Sequence, residues 1–129
     1  MRLRGAVLVS GAVLVSAAVL APLALAATRA PTRVQVVAME FYYNLSRRTV
    51  SAGPAIVQLV DFGQDPHDLR MERIGGTRVY GTPIIQPGTL YNLKLDLLPG
   101  TYELWCSVAN HRALGMEAKL VVTPAPAQG

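Results

Sequence analysis

The sequence predicts an all-β domain, an antiparallel sandwich or barrel of seven or eight short strands. Three observations predict it. β-Branched and aromatic runs recur along the chain, turn signals bearing Gly and Pro separate them, and no convincing helical period runs through them. The first run is "VQVVAMEFYY" (34–43), and the turn signal "SAGP" (51–54) follows it. "AIVQLV" (55–60) ends at "DFGQDP", and "HDLRMERI" (67–74) ends at a Gly pair. "TRVYGTPII" (77–85) stops at "QPG" and "TLYNLKLDL" (89–97) at "LPG". "TYELWC" (101–106) and "MEAKLVV" (116–122) come last. Polar, proline-bearing segments flank the whole set, "ATRAPTR" before it and "TPAPAQG" after it.

The beginning of the chain has a different composition. "MRLR" is followed by an uncharged run from Gly5 to Thr28, within which "ALA" (24–26) is the small-x-small pattern of a cleavage site. This predicts a secretory signal peptide over 1–26 and a single domain over 27–129. An uncleaved anchor stays open, since at about 1.5 Å per residue the run is long enough for about 30 Å of hydrocarbon. Pro22, Ser10 and Ser16 weaken that alternative, and the lack of a nearby cysteine excludes a lipid-modified one. Either way the domain is expected outside the cytoplasm, in the periplasm or on the extracytoplasmic membrane face. It is large enough for one two-layer core. Losing Arg2 and Arg4 with the leader halves the formal charge of +4, so basicity makes no case for nucleic acid.

An exported chain with one cysteine, Cys106, has no internal partner for a disulfide. Strand phase suggests another use. Tyr102, Leu104 and Cys106 share one face of their run, and Met116, Ala118, Leu120 and Val122 share one face of the last. His67, Leu69 and Met71 share a face opposite Asp68 and Arg70. Cys106, Met116 and His67 therefore aim inward, and His111 sits on the loop between Cys106 and Met116. A thiolate, two imidazoles and a thioether suit copper, and His₂Cys with a long axial Met is the blue-copper electron-transfer arrangement. Zinc fits less well, because its structural sites use four Cys or His ligands. A binuclear copper centre needs a second cysteine. A Cys-His nucleophile needs an oxyanion hole and a cleft that nothing here suggests. Met39 and Met71 read as core fillers, and Trp105 as a packing or surface aromatic.

In Pro66-His67-Asp68 and the later "GTYELWCSVANHRALGM", the chain from about Arg33 to Thr123 resembles the cupredoxins of the plastocyanin, auracyanin and rusticyanin type. The resemblance implies a Greek-key antiparallel β-sandwich, one copper ion, His67, Cys106 and His111 as equatorial ligands, and Met116 as the axial one. It also implies one-electron transfer between redox partner proteins, with no enzymatic chemistry. The protein is expected to be a monomer, associating with membrane only through an uncleaved leader. Copper storage or delivery to an oxidase is the alternative function, and a structural domain with a disused site is a third. Two departures stand out. Asp68 occupies the place of the family's usual Asn, where it can still accept a bond from the Ser107 hydroxyl, and the ligand loop lacks the proline many relatives carry.

Overall fold

Alternating burial along the strands resolves into two sheets that enclose one core. The computed structural model describes residues 29–127, so the expected signal peptide or anchor over 1–26 lies outside the described residues. Nine strands are present among the described residues: β1 (Thr32–Met39), β2 (Tyr42–Leu45), β3 (Thr49–Ser51), β4 (Gly53–Asp61), β5 (Arg70–Arg73), β6 (Val79–Gly81), β7 (Leu90–Leu97), β8 (Gly100–Trp105) and β9 (Glu117–Thr123). One sheet has the order β2-β1-β4-β7 and the other β3-β9-β8-β5-β6. No helix occurs among the described residues.

The all-β sandwich stands as expected, with differences in detail. The run at 34–43 is two strands, because the chain turns back at Glu40-Phe41 and pairs with itself, Met39 opposite Tyr42. The additional strand β3 is only three residues long and is stabilised by pairing with β9. Most pairs are antiparallel, but β1 with β4 and β3 with β9 run parallel. The reason is topological. After β2 the chain crosses to the second sheet for β3, then returns to lay β4 beside β1.

The core follows the period of two. Val34, Val36 and Ala38 of β1 and Ala55, Val57 and Leu59 of β4 face Tyr102 and Leu104 of β8 and Leu120 and Val122 of β9, all buried. Each fully buried Val or Leu contributes about 1.5–3 kcal/mol relative to exposure. Tyr102 keeps its polar end satisfied, since its hydroxyl accepts the Leu98 N–H at 3.0 Å beside the β7–β8 turn.

Strand directions bring four connections to one end of the sandwich: the 40–41 corner, the loop 62–69, the loop 82–89 and the loop 106–116. His67 is not inside a strand, as the sequence suggested, but in an isolated bridge to Ile85. Its N–H donates to the Ile85 carbonyl at 3.2 Å, and the Ile85 N–H returns a bond at 2.8 Å.

Candidate metal centre

Each chemically active side chain is held by a different local device. Cys106 follows β8 directly, and its N–H donates to the Met116 carbonyl at 3.2 Å, so the pairing of β8 with β9 continues one step into the loop. That loop then closes through stacked turns. The His111 N–H reaches the Val108 carbonyl, the Leu114 N–H reaches the Asn110 and His111 carbonyls, and the Met116 N–H reaches the His111 carbonyl. These bonds hold a loop that contains no proline. Gly115 completes the closure at φ +104°, a conformation that L side chains rarely adopt.

The outcome is a compact donor set. The Nδ1 atoms of His67 and His111 lie 3.2 Å apart, and Cys106 Sγ lies 3.9 Å from the first and 3.7 Å from the second. The point equidistant from the three is about 2.1 Å from each, within the range of metal–nitrogen and metal–sulfur bonds. All three residues are buried, as is Met116. Two imidazole nitrogens and one sulfur in a trigonal set fit copper by softness and by geometry. Burial pushes the Cys106 thiol above its ordinary pKa, so at neutral pH the free side chain holds a proton that a metal must displace.

The expected tie between the two ligand loops is present. The Asp68 carboxylate accepts the Ser107 N–H at 2.7 Å and the Ser107 hydroxyl at 2.5 Å. The strand phase had aimed Asp68 away from the core, yet it is fully buried, because the chain after Cys106 folds across it. Arg70 compensates the buried charge, its Nε donating to Asp68 Oδ2 at 3.1 Å. The Tyr43 hydroxyl donates to the Asp68 carbonyl from below. Burial, and the nearby Cys106 and Asp68, push that phenol far above the ordinary tyrosine range.

Sequence reasoning missed the 40–41 corner, which touches both imidazoles. Glu40 Oε1 accepts the Gln64 N–H at 2.6 Å and the Asp65 N–H at 2.8 Å, and lies 3.2 Å from His67 Nε2. The Asp65 bond, then those from Gln64 and His67, hold the Glu40 carboxyl at about 2, overcoming the opposing effect of burial. The Phe41 ring packs on the His111 ring with centroids 4.8 Å apart. Space here is tight: a Cβ at Gly63 would fall 2.2 Å from Glu40 Oε1 and 2.9 Å from His67 Nε2. No local pattern marks an acid whose partner lies 27 residues away.

Around His111 the surface is apolar. Leu114, Ala109 and Ala113 are exposed and Val108 is half-buried. Arg112, the one charge expected in this patch, lies over the Trp105 ring at 4.6 Å and pairs with Glu117 at 2.5 Å.

A β-sandwich with one buried nitrogen–nitrogen–sulfur set at the loop end defines a class: small proteins built around a single soft metal. Residues 32–123 match the family described as copper binding proteins, plastocyanin/azurin family, and the chain belongs to it. It is accordingly a cupredoxin, and its cofactor is copper. Among solved structures, the chain is similar to sodium-dithionite-reduced auracyanin from the photosynthetic bacterium Roseiflexus castenholzii. That match has 21% identity and a TM-score of 0.58, covering 76% of this chain and 100% of that one. Auracyanin A of Chloroflexus aurantiacus, described as a "blue" copper protein, matches at 16% identity and a TM-score of 0.60, covering 73% and 100%. A multicopper oxidase matches at 18% identity and a TM-score of 0.52, covering 71% of this chain but 42% of that one. At these identities the likeness is one of fold. No curated protein matches the chain.

Proposed function

We propose that this protein is an extracytoplasmic one-electron carrier. In this reading His67, Cys106, His111 and Met116 would hold copper. The observation that supports it most strongly is the buried triangle of His67 Nδ1, His111 Nδ1 and Cys106 Sγ, whose centre lies at bonding distance from all three. Bound there, copper would supply a Cu(II)/Cu(I) couple.

The chain's own residues do the rest. Cys106 would bind the metal as a thiolate, releasing its thiol proton. Burial of all four side chains keeps water out, so a donor or acceptor approaches the site without opening it. The hydrogen-bonded loop 106–116 and the Asp68–Ser107 tie restrain the donors in both oxidation states. His111 is the donor nearest the surface, 6% exposed within the apolar patch, and is the expected exit for the electron. That patch suits a small, transient encounter with a redox partner protein.

The test is repeated reduction and reoxidation of the copper-loaded protein, with metal content followed throughout. Electron transfer predicts a reversible one-electron couple with copper retained. Copper lost on reduction would instead support storage or delivery to an oxidase.

A further inference from the structure

The β1–β2 corner contributes one acidic side chain to the site, and its bonding is unusually concentrated. A single oxygen, Glu40 Oε1, receives two main-chain N–H groups of the loop 62–69 and faces the far ring nitrogen of His67. The contact joins the first sheet to the loop that leads into the second. Its effect on His67 is directional. An imidazole whose Nε2 hydrogen is engaged by a carboxylate presents a bare Nδ1, and Nδ1 is the atom that faces Cys106 and His111.

We propose that Glu40 is a positioning residue of the copper site: its carboxylate orients His67 and, through its charge, favours the oxidised metal. The inference rests on the ligand set proposed above. Three further observations support it. Gly63 leaves room for the contact, since a side chain there would collide with both partners. Among the described residues Glu40 has no cationic partner apart from the imidazole it faces, whereas Asp68 is paired with Arg70. The second imidazole supplies a built-in comparison. Its Nε2 lies 3.9 Å from Asp65 Oδ2, beyond hydrogen-bond reach, and the Asp65 side chain is 52% exposed. Asp65 is therefore expected to act weakly where Glu40 acts strongly.

The experiment compares wild type, Glu40→Gln, Glu40→Ala and Asp65→Asn as copper-loaded full-length chains at pH 7. Glu40→Gln keeps an oxygen acceptor for the loop and removes the charge. It should remain blue and shift the redox equilibrium roughly tenfold toward Cu(I), about 59 mV for one electron. Asp65→Asn should shift it by much less. Glu40→Ala removes the acceptor too and should weaken copper affinity roughly tenfold or more. A Glu40→Gln potential equal to wild type, or an Asp65→Asn shift as large as that of Glu40→Gln, overturns the proposal. Nitrogen NMR of the copper-free chain supplies a readout independent of the metal. His67 should carry hydrogen on Nε2, and the Gln64 and Asp65 amides should exchange faster in Glu40→Ala. A hydrogen found on Nδ1 alone would likewise overturn it. A wild type that binds copper without turning blue contradicts the type 1 reading instead, and leaves the NMR test standing.

Discussion

Asp68 and Asp61 are both fully buried carboxylates near the site, and the structure treats them in opposite ways. Asp68 is saturated by Ser107 and Arg70. At an assumed separation of about 7 Å and an effective dielectric of about 20, its charge would act on a bound metal with roughly 2 kcal/mol. That corresponds to about 100 mV for one electron, and the opposite charge on Arg70 offsets part of it. Asp68→Asn should therefore raise the potential by some tens of millivolts, measured by redox titration at neutral pH; an unchanged value would show that Arg70 cancels the charge. In Asp61, Oδ1 accepts the Gly63 N–H at 2.8 Å while Oδ2 is buried without a partner. Burial raises its pKa, so the ionised form is disfavoured in the folded protein and the cost is present at high pH. Asp61→Asn should thus stabilise the copper-free protein at pH 7–8, with the gain shrinking as pH falls and Asp61 takes up its proton. Denaturant midpoints across that range measure it, and a gain that grows in acid would contradict it. Of these site residues, His67, Cys106 and His111 were legible because the chain holds one cysteine and two histidines. Glu40 was not, because its role exists only after the corner has folded against a distant loop.

Loops and strands divide the same way. Strands with clear alternation, β4, β8 and β9, fall where the sequence placed them, because one face of each is buried. β3 was illegible: three residues have no period of their own, and the strand exists through its pairing with β9 some seventy positions on. His67 was assigned to a strand because its apolar neighbours alternate, yet the ladder narrows there to a single bridge. The loop 106–116 is the docking element proposed above. Leu114 is 51% exposed beside buried His111, and Arg112 is paired with Glu117. Leu114→Asp should slow electron transfer to the physiological partner several-fold while leaving the visible spectrum alone, since Leu114 is not among the buried donors. Stopped-flow kinetics would measure this, and an undiminished rate would place docking elsewhere.

At the scale of the whole molecule, one apolar core runs between both sheets, and Cys106 and Met116 belong to it at the end where loops from both sheets converge. Sheet order and the two parallel pairs could not be read from sequence, since they depend on which sheet the chain enters after β2 and β3. The central claim is that Cys106, as a thiolate at a trigonal His₂Cys site, binds copper as a blue centre on a fold that does not need it. The visible spectrum of copper-loaded wild type beside Cys106→Ser tests it most directly, with far-ultraviolet circular dichroism as the control for folding. The account predicts an intense orange-red absorption in the wild type, lost in Cys106→Ser with the β-sheet signal intact. A colourless Cu(II) wild type, or a serine variant that keeps the band, would contradict it.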